Sequence, residues 1–269
     1  GRGAMGVVYL GLDPKIARRV AIKTLNYREF DTAQLNVIKE RFFREAEAAG
    51  RLNHPNIVTV YDVGEEADLA FIAMDYVEGK SLDRCVSETA LLPIQEVYEI
   101  IIAVADALAY AHQQNIVHRD IKPGNIMYDQ NSGQVKVADF GIARIVDDSK
   151  TKTGDMLGSP VYMSPEQLKG TRVSGASDIY SLGVTFYQLL TGVLPFSGDS
   201  IANLAYQILN KKYVSVRELR PELSAGVVRV VNKALQKEPS KRYHSAVEMA
   251  DAVRSLLNRE CRRDNRKAS

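Results

Sequence analysis

Up to about Tyr76 the apolar residues of the chain come in short runs bounded by turn formers; beyond it they recur every three or four residues. The runs Val7 to Leu10, Arg19 to Lys23, Ile57 to Val63 and Leu69 to Tyr76 therefore predict strands. Between the second and third of them, Ile38, Phe42, Ala46 and Ala49 share one helical face, which predicts a helix over 38–52 entered through an irregular stretch from Phe30 to Asn36. Val77 to Ser81 breaks both patterns and marks a hinge. After it, Ile94 to His112 is apolar nearly all round, the pattern of a helix buried by its neighbours. Ile126 to Tyr128 and Val135 to Ala138 read as two short strands joined by a polar turn that closes on Gly133. Asp178 opens a second helix that is apolar on every side and ends at Gly192, and Ser200 to Asn210 and Ser224 to Gln236 predict amphipathic helices. Ser245 and Glu248 have capping-box spacing before Ala250, Val253 and Leu257. There the apolar pattern stops, and Arg259, Arg262, Arg263, Arg266 and Lys267 are expected to form a basic tail, a disordered linker with a juxtamembrane role as the alternative.

Strands before the hinge and helices after it predict an α+β layout in two lobes. The expected boundaries are a small, mainly β lobe with one helix at 1–77, a larger, mainly α lobe at 78–258, and a tail at 259–269. Composition changes this little. With 45% hydrophobic and 25% charged residues nothing argues for disorder, and a net charge of +2 is too small to argue for nucleic acid or a membrane surface. Cys85 and Cys261 sit in no metal-binding or redox spacing, so a reducing, cytoplasmic setting is expected. No run of about twenty apolar residues suggests a membrane span within the chain, though a membrane-anchored larger protein with this segment on its cytoplasmic side is compatible with the sequence. Gly1 falls directly in a motif that ordinarily follows half a strand, so the N-terminal edge is expected to be clipped.

Candidate chemistry concentrates in His118-Arg119-Asp120-Ile121-Lys122-Pro123-Gly124-Asn125 and in Asp139-Phe140-Gly141. The intervening hairpin brings the two ends together. Asp120, Asn125 and Asp139 then share a pocket: one carboxylate to orient a hydroxyl, and an amide and a carboxylate to hold Mg²⁺ by oxygen. Turn formation alone is the alternative for these polar residues. Gly1-Arg2-Gly3-Ala4-Met5-Gly6-Val7-Val8 fits GxGxxGxV and runs into a strand. A dinucleotide fold would need a helix there, and a Walker loop would need Gly-Lys-Ser/Thr. A strand-flanked glycine loop can instead fold over nucleotide phosphates, because backbone N–H groups approach the anion where no Cβ intervenes.

HRDIKPGN, with DFG after it and YMSPEQ further on, resembles the protein kinase family, most of all its bacterial serine/threonine branch, and the resemblance extends from Gly1 to about Leu257. It implies a two-lobed kinase fold that uses ATP and Mg²⁺, with Mn²⁺ as an alternative, and protein substrates bearing Ser or Thr. Gly1, Gly3 and Gly6 would cover the phosphates. Lys23, closing VAIK, would reach the α and β phosphates with Glu45 as partner, Glu47 being the neighbour that confuses the register. Val8, Ala21 and Met127 would sandwich adenine, Met74 would guard the rear of its pocket, and the backbone of Asp75 and Val77 would bond its edge. Asp120 would orient the substrate hydroxyl, Lys122 would stabilise the transferring phosphoryl group, and Asn125 and Asp139 would hold the metal.

His118 would be a structural contact beneath Phe140. Asp178 would be a cap or anchor for the catalytic loop, and Glu166 would pair with Arg242 inside the protein. Control would reside between Asp139 and Glu166, with Thr151 or Thr153 as phosphorylation sites, Arg119 as the receptor of that phosphate, and Ser159 bonding Asp120 and Lys122. Autophosphorylation implies a transient homodimer. Two rival readings are a pseudokinase that signals by shape, and a small-molecule kinase. The first is disfavoured because every catalytic position is filled, the second because Gly158 to Glu166 supplies a peptide platform.

Overall fold

A computed structural model describes residues 2–3, 6–29, 35, 39–40, 42–43, 46–47, 49–140 and 160–268; residues 2, 3, 6, 29 and 263–268 are described by backbone alone. A five-stranded antiparallel sheet comes first. β1 (Arg2–Gly3), β2 (Gly6–Asp13), β3 (Arg18–Asn26), β4 (Val60–Glu66) and β5 (Leu69–Asp75) lie in the order β1-β2-β3-β5-β4. Gly3 pairs with Gly6, so β1 and β2 are an antiparallel pair, and the strand expected after the glycines is β2. Residues 39–50, where described, are helical. Phe42 and Ala46 from that stretch bury against Leu25, Ala70 and Ile72 of the sheet, which is the stripe read from the spacing.

The expected strand 57–63 is displaced. Residues 57–58 do not join β4; they lie parallel to the second sheet, where Val58 N–H donates to Val137 O at 2.9 Å and Val137 N–H to Asn56 O at 2.8 Å. An apolar run marks burial and not the choice of ladder, so the sequence alone could not divide Ile57-Val58 from Val60. The second sheet has the order β6-β7-β8, from β6 (Lys80–Ser81), β7 (Ile126–Asp129) and β8 (Gln134–Val137).

Helices make up the rest. They are α1 (Ile94–Gln113), α2 (Pro165–Leu168), α3 (Gly175–Thr191), α4 (Ile201–Asn210), α5 (Val216–Leu219), α6 (Ala225–Ala234) and α7 (Ala246–Ala268). α3 is buried from Ser177 to Thr191, and it stops at Gly192, whose φ of 78° only glycine adopts freely. It begins three residues before Asp178, because Ser174 and Ser177 form a capping box. α7 corrects the reading of the tail. It does not end at Leu257 but runs to Ala268, and its extra turns are tied to α1, with the Tyr98 hydroxyl donating to Glu260 at 2.9 Å and Gln95 donating to Cys261. Arg, Glu and Lys are good helix formers, so loss of the apolar stripe need not end a helix that a neighbour already holds. Among the described residues no helix is long and apolar enough to cross a membrane.

Candidate active site

The cleft between the first sheet and the helical part has a volume of about 440 Å³. Val8, Ala21 and Met74 line it from the first sheet and Met127 from the second, together with Asp75, Tyr76 and Val77 where β5 ends. Lys23, Asp120, Lys122, Asn125 and Asp139 gather at one end. Every residue that the resemblance assigned to adenine is therefore a wall of one cavity. The sequence reading missed Val58, Tyr76 and Ala138, which also line it. Ala138 and Tyr76 adjoin assigned residues and were within reach of that reading; Val58 was hidden in the misread strand.

Lys23 follows from register. β3 pairs with β2 and β5, so that Lys23 lies opposite Val8 on one side and Ile72 on the other, a central strand position with little access to water. A lysine is tolerated there only if its charge is met. Its Nζ donates to Asp139 Oδ1 at 2.7 Å, a contact between residues 116 apart in sequence that crosses the cleft. Glu45, its expected partner, lies outside the described residues, as do Gly1, Thr151, Thr153 and Ser159; Gly3 and Gly6 are described by backbone only.

Asp120 is held by its neighbours. Lys122 Nζ donates to its Oδ2 at 2.6 Å, and Asn125 Nδ2 donates to the same oxygen and to the Asp120 carbonyl, both at 2.8 Å. Using Nδ2 on Asp120 leaves Asn125 Oδ1 as the atom for a cation. Among the described residues no group of three or more His, Cys, Asp or Glu could hold a metal alone. The oxygens of Asn125 and Asp139 suit a hard ion that takes one or two protein ligands and fills its shell with water and phosphate, which is the habit of Mg²⁺.

The loop carrying Asp120 is strained and anchored. Arg119 has φ 70° and Asp139 has φ 62°, left-handed values that cost side-chain-bearing residues about 1–3 kcal/mol. Asp178, fully buried in the first turn of α3, accepts from the backbone N–H of His118 at 2.8 Å and of Arg119 at 2.7 Å, and also bonds His112 Nε2 at 2.8 Å. Gln167 Nε2 donates to the Arg119 carbonyl at 2.8 Å. His118 is buried, bonds the Ala138 carbonyl through Nε2 at 2.9 Å and packs on Phe140 with ring centroids 4.5 Å apart, so it joins the two loops and does not face the cleft. Among the described residues the buried Arg119 Nε has no hydrogen-bond partner.

Below the site, Arg242 and Glu166 form the expected pair. Nη1 and Nη2 donate to the two carboxylate oxygens at 2.7 and 2.8 Å, and the remaining N–H groups donate to the carbonyls of Ala176, Gln236 and Lys237. Burial raises the Glu166 carboxyl, but bonds from Arg242 and Ser177 outweigh it and hold the group below its ordinary range.

A glycine-bearing strand pair beside a lysine strand, a hinge, and a loop that locks an aspartate beside an asparagine make up a protein kinase domain. The chain belongs to that family: the protein kinase domain family matches residues 1–254. Among its relatives are the serine/threonine-protein kinase PrkC of Bacillus subtilis, 41% identical over 259 residues, and the serine/threonine-protein kinase PknB of Mycobacterium tuberculosis, 42% identical over 262 residues. These alignments cover 96% and 94% of this chain but 39% and 41% of the relatives, so the chain spans about two fifths of their length. The crystal structure of Rad53 1-466 in complex with AMP-PNP superposes with a TM-score of 0.77 at 27% identity, over 94% of this chain and 62% of that one.

Proposed function

We propose that the chain is the catalytic domain, at 1–258, of an ATP-dependent protein serine/threonine kinase that transfers the γ-phosphoryl group of ATP to Ser or Thr hydroxyls of proteins. Its lobes are 1–77 and 78–258, and the tail at 259–269 follows the second, helical as far as Ala268. The observation that carries the reading is the contact of Lys23 with Asp139 across the cleft, beside an Asp120 already held by Lys122 and Asn125. Groups that remote in sequence meet where a triphosphate would pass between them.

In this reading Lys23, with Glu45, holds the α and β phosphates under Gly1, Gly3 and Gly6. Asp120 orients the incoming hydroxyl and accepts its hydrogen bond, and Lys122 offsets charge on the transferring group. The adenine base sits between Val8, Ala21 and Met127, with Met74 behind it and the Asp75 and Val77 backbone along its edge. Asn125 and Asp139 hold Mg²⁺, or Mn²⁺, which when bound neutralises phosphate charge. Phosphate on Thr151 or Thr153 would be received by Arg119, whose Nε has no other partner among the described residues, and Ser159 would bond Asp120 and Lys122. Protein substrates, a transient homodimer for autophosphorylation and a cytoplasmic position, free or within a larger anchored protein, complete the proposal.

Incubation with Mg²⁺-ATP and a Ser/Thr-containing protein tests it. Phosphate should appear on the substrate and between Asp139 and Glu166 with the unaltered chain, and should fall by about 10²–10⁴-fold in Asp120→Asn. Transfer undiminished in that variant, or none from the unaltered chain, would overturn it.

A further inference from the structure

Where β5 ends and the hinge begins, three groups converge on one carboxylate. Asp75 accepts from Lys136 Nζ at 2.8 Å, from the backbone N–H of Thr59 at 3.2 Å, and from the Tyr61 hydroxyl. Lys136 Nζ also donates to the Ile57 carbonyl at 3.2 Å. Both side chains of the ion pair are largely withdrawn from water, 15% exposed for Lys136 and 19% for Asp75. Tyr61 reaches the cluster because the ladder jumps from Val60 opposite Met74 to Asp62 opposite Ala73. The residue skipped is a bulge, a device that re-aims a side chain. The guanidinium of Arg18, on β3, covers the Tyr61 ring at 3.5 Å.

The two halves of this cluster come from different lobes. Tyr61, Thr59 and Asp75 belong to the first sheet or its lead-in, whereas Lys136 lies on β8 opposite Met127, which lines the cleft. Neither Lys136 nor Tyr61 lines the cleft, so phosphoryl transfer does not account for them. A covalent hinge alone permits rotation about its own axis. The bonds of residues 56–58 to β8 supply one further tether. The ion pair of Lys136 with Asp75 adds another at the start of the hinge, and tethers at separate points leave little freedom to swing.

We infer that Asp75, Lys136 and Tyr61 form an interlobe clamp that fixes the hinge in the geometry that binds nucleotide, making Lys136 and Tyr61 positioning residues for ATP. The inference rests on the nucleotide-cleft reading above. Without the clamp the lobes populate splayed arrangements, and apparent affinity falls by the fraction of molecules still competent. A competent fraction reduced to between about a third and a tenth weakens binding about three- to tenfold. Chemistry from the bound state is untouched, because the competent geometry itself is unchanged.

The test is isothermal titration of the whole chain with Mg²⁺-ATP, with kcat and KM measured alongside and hydrogen exchange followed at the amides of 75–81. Lys136→Met should raise Kd and KM about three- to tenfold while kcat stays within about twofold, and should speed exchange in the hinge. Lys136→Arg should recover most of the affinity. Tyr61→Phe, at a half-exposed position that tolerates the change, should raise Kd about twofold and stands in for the lysine variant if that one does not fold. Adding Asp75→Asn to Lys136→Met should weaken binding by less than the product of the two single effects, since the ion pair is lost in both. Unchanged Kd and exchange in Lys136→Met and Tyr61→Phe, a fall in kcat matching the rise in KM, or multiplying effects in the double variant would each overturn the clamp. A chain that binds Mg²⁺-ATP yet transfers no phosphate would defeat the kinase reading instead, and the clamp would still be judged on Kd.

Discussion

Arg242→Ala is the substitution whose cost the structure specifies most fully. The wild-type guanidinium is buried, and all five of its N–H groups have acceptors: two carboxylate oxygens of Glu166 and three main-chain carbonyls. It also stacks over Tyr180 at 4.9 Å. Truncation leaves the buried Glu166 carboxylate with Ser177, at 2.6 Å, as its remaining side-chain donor, and leaves three carbonyls without their bonds. Removing one member of such a pair costs about 3–5 kcal/mol, a large share of the roughly 5–15 kcal/mol that holds a domain together. Urea denaturation followed by far-UV circular dichroism should show the midpoint falling with little change in slope. Glu166→Met in the same background should recover much of the loss, because an apolar side chain leaves no charge stranded.

The pair also has a pH signature. The Glu166 carboxyl titrates lower in the folded protein than in the unfolded chain, so its contribution is complete above the unfolded value of about 4.5 and is lost as pH falls through the lower folded value. The wild-type curve should therefore drop more steeply than that of Arg242→Ala in the acid range. A loss under about 1 kcal/mol for Arg242→Ala, or parallel acid limbs for the two proteins, would refute the reasoning.

Three further outcomes are expected. Lys23→Met should lower phosphoryl transfer at least about 100-fold, since it removes a preorganised charge from the cleft, while a thermal scan shows a shift of only a few degrees because the stranded Asp139 is partly solvated. Asp178→Ala should cost both stability, by about 3 kcal/mol in urea titration, and transfer rate, since two backbone N–H groups of the Asp120 loop and His112 lose their acceptor together. Gly79→Ala should destabilise by about 1–3 kcal/mol, measured the same way, because the new Cβ would stand 2.5 Å from the Tyr128 carbonyl group, which is backbone and cannot turn aside.

Periodicity made the scaffold legible where a face is buried against one partner. Phe42 and Ala46 announced their helix, and the all-apolar run after Asp178 announced the helix that others surround. It failed where a segment serves two sheets, as at Ile57-Val58, and where a polar helix rides on a neighbour, as in the last turns of α7. At the site, the motif spacing of Lys23, Asp120, Asn125 and Asp139 led them to be expected together, and all four do line one cleft. Lys136 was not singled out, since a lysine alternating with Val135 and Val137 looks like the solvated face of a strand. Hairpin register could have found it: counting back from Gly133 sets Lys136 beside Met127, already expected in the cleft.

The backbone explains why this site needs so much support around it. Among the described non-glycine residues, five have left-handed φ; Ala17, Ala67 and Asn115 lie at turns, and the other two are Arg119 and Asp139. Arg119 adjoins Asp120, and Asp139 is itself the carboxylate proposed to hold the metal, so about 1–3 kcal/mol apiece is stored where chemistry is proposed. Each is opposed by bonds from outside its own loop: Asp178 and Gln167 on the Arg119 peptide units, Lys23 on the Asp139 side chain. Asp178 comes from α3 and Gln167 from α2, which is fastened to the same core through its neighbour Glu166 and Arg242. A strained loop with those anchors loosened would relax toward ordinary backbone angles and carry Asp120 away from Asn125. If the proposed transfer takes place at Asp120, the buried pair and the buried aspartate beneath the cleft would act on it through geometry, and a substitution there that spared stability should still be read in the rate.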